Sequence, residues 1–201
     1  MRVRPSTIND HKQMTQVLIE AFFEYPVFIA FLPDKEHRQD FLSELFTANI
    51  KVFEKINGSY VAEADDGSIQ GVILVKDDKH KEPGVMSYLI NSKKGMFKPS
   101  NIRSLIDFFR IIEEMDGEFI SQDISWYVDS LAIKPSSQGK GIGSLLLDEL
   151  DQIVKKRKGG RIVLSTNTAT NAKFYEKNGY QLVNHSTKNT KFETWHFAKE
   201  I

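Results

Sequence analysis

The 201-residue sequence contains no cysteine. That absence excludes disulfide staples, thiolate zinc sites, cysteine-ligated iron–sulfur clusters and any acyl-cysteine intermediate. Charge of one sign is missing too. The 27 Lys and Arg cancel the 27 Asp and Glu, so there is no global basic field for nucleic acid, and no nucleic-acid partner is expected. Long apolar runs are absent: neither residues 27–32 (VFIAFL) nor residues 72–75 (VILV) approach the roughly 20 residues that a membrane span needs, so no membrane partner is expected either. The basic residues among the first five have no apolar run behind them and do not read as a secretory signal, which leaves a cytoplasmic location as the expectation. The histidines (His11, His37, His80, His185 and His196) show no metal-ligand spacing, and no metal is expected.

What is present is ordinary globular material, 40% hydrophobic and 27% charged, of a length that suits one domain spanning 1–201. Arg2–Pro5 reads as a short strand. Residues 9–23 read as a helix with Met14, Val17, Leu18, Ala21 and Phe22 on one stripe, closed by Pro26. After an apolar segment at 28–32, Asp34 is a good N-cap for a long helix to about Phe53, with Leu42, Leu45, Phe46, Asn49 and Phe53 along its buried side. Two strands at 59–64 and 68–75 flank an Asp65-Asp66-Gly67 hairpin turn. A third helix is expected over 100–114, ending by Gly117. Residues 125–133 form an apolar strand with little alternation, the mark of a strand covered on both faces and therefore mid-sheet. Then come a glycine loop, a helix to about Lys156, a buried strand at 161–165, a short helix from about Thr170 to Lys177 stopped by Asn178-Gly179, and two closing strands. The fold class is α/β: a mixed, mostly antiparallel twisted sheet of six to seven strands flanked by helices.

The loop Gln138-Gly139-Lys140-Gly141-Ile142-Gly143-Ser144 carries the clearest chemistry. It joins a buried strand to an amphipathic helix. Glycines let a ligand approach the backbone, and the first helical N–H groups have no internal acceptors, so the two together make an anion site. The spacing fails the Walker pattern, because Gly139-Lys140 is followed by Gly141, and it is one residue short of the dinucleotide pattern. It fits Gln/Arg-x-x-Gly-x-Gly/Ala at every position; a glycine-rich turn without a ligand is the alternative.

That third pattern is the pyrophosphate loop of the GCN5-related N-acetyltransferases (GNAT), which the chain resembles from Trp126 to about Val183. Leu131-Ala132-Ile133-Lys134-Pro135 and the loop are similar to the family's fourth strand and cofactor loop. Leu164-Ser165-Thr166, Asn171 and Phe174 to Tyr180 are similar to its fifth strand, following helix and sixth strand. Ala21 to Pro26 and Thr194-Trp195 more weakly resemble the puromycin N-acetyltransferase branch. The resemblance implies acetyl-CoA as co-substrate, a splayed strand pair that holds it, and transfer to a primary amine, that of a small-molecule acceptor, by direct attack. Acetylation of a protein N-terminus or lysine, or acyl-CoA binding without catalysis, are the alternatives. It divides the chain into an acceptor-side half, 1–120, and a cofactor-side half, 121–201, in a monomer or homodimer.

By the same resemblance, Leu131, Ala132 and Ile133 offer backbone to the cofactor arm, and the Leu131 N–H is the oxyanion donor. Gln138, Gly139, Lys140, Gly141, Gly143 and Ser144 hold the pyrophosphate, while Asn171 and Phe174 flank the arm. Tyr175 matches the family's general acid. The strand-four glutamate of the histone-modifying branch is replaced by Tyr127. Asp129, assigned to the same strand face as Tyr127 and Leu131 by alternation, is the nearest carboxylate base, ahead of Glu118, His185, His196 or a water relay. The acceptor pocket is expected from Phe22 to Leu32, Val85 to Phe97 and the helix near Phe109, segments rich in Phe, Tyr and Met.

Overall fold

A computed structural model describes residues 1–77, 79–80, 83–120, 125–189 and 191–201, with side chains of 116–120 excepted. Seven strands form one sheet: β1 (Arg2–Pro5), β2 (Ser59–Glu63), β3 (Ile69–Asp77), β4 (Trp126–Ile133), β5 (Arg161–Thr166), β6 (Gln181–Ser186) and β7 (Thr194–Glu200). The order is β1-β2-β3-β4-β5-β7-β6, antiparallel except for the parallel pair β4–β5. β4 therefore lies at the centre, as its unbroken apolar run requires.

Helices cover both faces. On one lie α1 (His11–Phe22), α2 (Pro26–Phe31), α3 (Lys35–Lys55), α4 (Val85–Asn91) and α5 (Pro99–Ile120). Their core packs Met14, Leu18, Phe41, Leu42 and Phe53 against Val61, Val72, Leu74 and Ala132 of the sheet. On the other lie α6 (Ile142–Lys156) and α7 (Ala169–Lys177), whose core joins Leu146, Leu150 and Tyr175 to Ile73, Val128, Ile162 and Phe197.

Several local signals act as read. Asp34 caps α3 by accepting from the His37 N–H at 2.7 Å. Gly67 at φ +80° and Gly179 at φ +83° turn the β2–β3 hairpin and end α7. Others give way to packing. Pro26 opens α2 at its first turn, where a missing N–H costs nothing, rather than closing the preceding helix. α5 runs through Gly117 to Ile120. α4 lies where no helix was predicted.

One polar cluster fixes β1 and the first turns. The Arg4 guanidinium donates to both Asp10 oxygens, at 2.7 and 2.9 Å, and from Nε to Glu63 on β2 at 2.9 Å. Arg4 holds both carboxyls near pH 2, far below the usual carboxylate range. A depressed carboxyl stabilises the fold above its unfolded pKa and ceases to as pH falls through the folded one. Acid unfolding should therefore steepen between about pH 4 and pH 2. Arg4→Gln should flatten that segment of the stability–pH curve, as followed by denaturant midpoints; an unchanged slope would remove the cluster as its source.

Candidate active site

The sheet opens beside β4. Pairing with β5 covers only Trp126–Ile162, Tyr127–Val163 and Val128–Leu164, and then the strands part. From Ser130 to Ile133, β4 pairs with β3 on its other edge alone. The Lys134 N–H donates to the Gln70 carbonyl on the β3 side at 2.9 Å. Alternation puts the Ala132 N–H on that side too and turns the Leu131 and Ile133 N–H groups toward the opened edge.

Two hollows meet in the gap. The first is a groove that runs from the opened edge to the start of α6. Leu131, Ile133, Gln138, Gly139 and Gly141 line one part of it, and Gly143, Ser144, Asn171, Phe174 and Tyr175 the rest. Gly139 and Gly141 hold φ of +76° and +78°, a conformation costly for any residue with a Cβ, and nothing lies within 4 Å of where one would sit. The first helical bond runs from the Leu145 N–H to the Gly141 carbonyl, so the Ile142, Gly143 and Ser144 N–H groups have no intrahelical acceptor. At Gly143 a Cβ would meet the Phe174 ring at 2.9 Å, so this glycine lets α7 close against α6. Thr168 caps α7 by accepting from the Asn171 N–H at 3.2 Å.

Two residues assigned to the cofactor lie off this groove. The Ala132 side chain is 1% exposed, in the core beneath α1 and α3. Lys140 folds back so that Nζ donates to the Ser136 carbonyl at 2.9 Å.

The second hollow is a cavity between the sheet and α1–α5, lined by nine aromatic side chains among aliphatic and polar ones. Its polar side carries Asp129. Oδ2 of Asp129 accepts from Asn49 Nδ2 and from Ser130 Oγ, both at 2.8 Å, and Tyr88 Oη donates to Asn49 Oδ1 at 2.6 Å. Donors aimed at a carboxylate favour its charged form. Asp129 faces this cavity because β4 bulges there. Leu74 pairs with Ser130 and Val75 with Val128, so the register shifts by one residue and Asp129 falls between the two pairs. The extra residue puts Asp129 and Ser130 on the same face, with Tyr127, and leaves Leu131 on the other. Strict alternation put Asp129 and Leu131 on one face; the bulge overturns that.

Groove and cavity share Phe22, Tyr25, Leu131, Asn171 and Tyr175. The Tyr175 ring is 7% exposed, pinned edge-on by Phe174 and Tyr180 with centroids at 5.2 and 5.8 Å. Burial pushes its phenol well above the usual range, so the proton stays on across neutral pH. Tyr25 accepts from the Asn167 N–H at 2.7 Å and lies 2.9 Å from Thr166 Oγ1, which ties the α1–α2 turn to the end of β5.

The other predicted bases are scattered. His196 is buried, with Nδ1 2.8 Å from Ser165 Oγ on the cavity wall, and burial pushes its imidazole below the usual range. His185 stacks on Trp195 at 4.5 Å and pairs with Glu193, on the far strand pair. The Glu118 side chain lies outside the described residues. Sequence reasoning missed Asn49 as a site residue and reached Tyr25 only as part of the Phe22 to Leu32 segment. The available signal for Asn49 was a lone amide on an otherwise apolar helical stripe.

Among the described residues, no cluster of three or more His, Asp or Glu could hold a metal ion, and no helix is long and apolar enough to cross a membrane.

Residues 104–182 match a family model described as an acetyltransferase (GNAT) domain, so the resemblance read from the loop and α7 holds. No curated protein matches the chain significantly. Among solved structures it is similar to histone acetyltransferase HPA2 and related acetyltransferase from Corynebacterium glutamicum, at 22% identity and TM-score 0.66, covering 98% of this chain and 94% of that one. It is also similar to mosquito arylalkylamine N-acetyltransferase like 5b, at 16% identity and TM-score 0.64, covering 100% of this chain and 99% of that one. A Drosophila melanogaster polyamine N-acetyltransferase that forms N-acetylagmatine has 16% identity and TM-score 0.58, with the same coverage. At these identities the likeness establishes the fold: the sheet and its flanking helices are those of the GNAT acetyltransferases.

Proposed function

We propose that this GNAT-fold chain moves the acetyl group of acetyl-CoA to the primary amine of a small molecule, by direct attack with both substrates bound. The observation that carries this reading is the meeting of the glycine-loop groove with the aromatic cavity at Leu131 and Tyr175.

The groove suits the co-substrate. The α6 N-terminus and the open glycines accept a pyrophosphate, and the unpaired β4 edge accepts an amide-bearing arm as an added strand. Bound acetyl-CoA supplies the thioester. The Leu131 N–H donates to the carbonyl oxygen as negative charge develops there. Tyr175, kept protonated by burial, donates to the departing sulfur. Asp129 pairs with the acceptor's ammonium and takes its first proton, which frees the lone pair that attacks the carbonyl carbon. The nitrogen loses a second proton as the C–N bond forms and the C–S bond breaks, and that proton restores the Tyr175 phenol that has protonated the sulfur. Two N–H protons leave: one matches the new S–H and the other passes from Asp129 to solvent.

Purified protein with acetyl-CoA and a panel of amines tests the reading through release of free CoA. Acetyl-CoA binding without release by any amine would leave a binding module instead.

The loop is testable apart from turnover. Gly141→Leu should weaken acetyl-CoA binding by about tenfold or more, since a side chain at this positive φ strains the loop and obstructs the backbone. Gly67→Leu carries a similar strain at φ +80° in the β2–β3 hairpin, at a position that does not line the groove, and should leave affinity unchanged. Calorimetry on both separates loop damage from general destabilisation; equal affinity for Gly141→Leu and wild type would take the loop out of the site.

A further inference from the structure

We infer that the acceptor is a monoamine with an apolar, ring-sized body, and that a second cationic group on it is selected against. This rests on the acetyl-transfer reading and names the acceptor that the same site favours.

The cavity holds one anionic side chain at its polar side and, among the described lining residues, no second one. Asp129 is there; Glu, Lys, Arg and His are absent from the described lining residues. Uncharged Asn49, Ser130, Ser165, Thr166, Asn167 and Asn171 line it too, and from the carboxylate a continuous chain of aromatic rings runs along the helices. Asn49 bonds Asp129, Tyr88 bonds Asn49, and the Tyr88 ring meets Phe109 edge-on at 5.1 Å. Phe109 meets Phe108 at 6.0 Å, and Phe108 stacks on Phe28 at 5.8 Å and 11°. Phe28 meets Phe46 at 6.1 Å, Phe46 meets Phe22 at 5.5 Å, and Phe22 meets Tyr25 at 5.2 Å, back where cavity and groove join.

An acceptor reaching the junction with its nitrogen near Asp129 must lay the rest of itself along these rings. An apolar ring gains by leaving water there. Burial of a side chain of that size is worth about 10–100-fold in affinity. A second ammonium or guanidinium would lose its hydration against the same rings and find, among the described lining residues, ring faces and uncharged groups but no counter-ion. Ring faces attract a cation, yet by less than a paired, hydrogen-bonded carboxylate does when both are desolvated. A carboxylate on the acceptor would meet Asp129 with like charge.

The test compares 2-phenylethylamine with agmatine, which carries a guanidinium beyond its amine. Two quantities are measured on the full chain: kcat/KM from CoA release, and affinity of each amine by calorimetry with CoA present. The expected result is that 2-phenylethylamine leads by at least about tenfold in both. Ile112→Glu adds a carboxylate to the α5 side of the cavity at a half-buried position and should move the ratio toward agmatine by about tenfold or more. Met115→Glu, one helical turn along the same lining, replaces it if the first variant fails to fold. Agmatine equal to or better than 2-phenylethylamine in the wild type overturns the inference and leaves acetyl transfer standing. Tighter binding of 2-phenylethylamine with no turnover of any amine removes the transfer reading and, with it, the assignment of an acceptor. If neither amine binds, both fall.

Discussion

Tyr175→Phe is expected to slow acetyl transfer by about 10²–10⁴-fold, the range typical of losing a general acid, with little change in acetyl-CoA affinity. The ring's place is set by packing that phenylalanine keeps. Phe174, Tyr180 and Phe197 surround it with centroids at 5.2, 5.8 and 5.9 Å, and none of these contacts uses the hydroxyl. The substitution thus removes a proton donor at the junction of groove and cavity and little else. Single-turnover rates are the right measurement, because slow product release would hide a slowed chemical step. An unchanged single-turnover rate with a turned-over amine would reduce Tyr175 to a wall residue. Tyr25→Phe is the natural comparison. Its hydroxyl is engaged with Asn167 and Thr166, so its loss should loosen the α1–α2 turn and raise KM more than it lowers kcat.

The features legible in the sequence are those whose cause is local. A glycine at φ +78° before a helix, an Asp34 cap and a Gly179 stop each follow from the conformational needs of one residue, and each stands where the sequence put it. β4 was legible as a central strand because burial on both faces erases alternation. The failures share a different cause. Pro26 is compatible both with ending one helix and with opening another, and contact of Phe28 with Phe22, Phe46 and Phe108 decides for the second. Gly117 costs α5 about 1 kcal/mol relative to alanine, too little to end a helix that packs Leu105 and Phe109 into the core. The pairing of Asn49 with Asp129 spans 80 residues of chain, and no pattern within α3 announces it beyond the amide on an apolar stripe. Hardest of all is the bulge. Nothing in Val128-Asp129-Ser130 distinguishes a regular strand from a bulged one, since the extra residue is forced by register with β3. Yet it decides which hollow the carboxylate faces.

That bulge gives the remaining large effect its direction. Asp129→Asn is expected to cut kcat/KM for an amine acceptor by about 10²–10³-fold while leaving acetyl-CoA affinity unchanged, because Asp129 lines the cavity and is not part of the groove. At neutral pH an alkylamine with a pKa near 10 is almost wholly an ammonium ion. The wild type takes that abundant form, because a charged carboxylate held by Asn49 and Ser130 pairs with it and then accepts its proton. The amide can do neither and must wait for the rare neutral amine. The limb of the rate–pH profile set by this carboxylate should therefore vanish, and the residual kcat/KM should climb about tenfold per pH unit until it meets the amine's own pKa. Asn49→Leu separates positioning from charge: with one donor gone and the carboxylate kept, the carboxylate-set limb should persist, at reduced height. A variant profile that matches the wild type in both shape and height would exclude Asp129. The proton would then have to leave through another group on the cavity wall, where Ser165 already touches the neutral His196 ring at 2.8 Å.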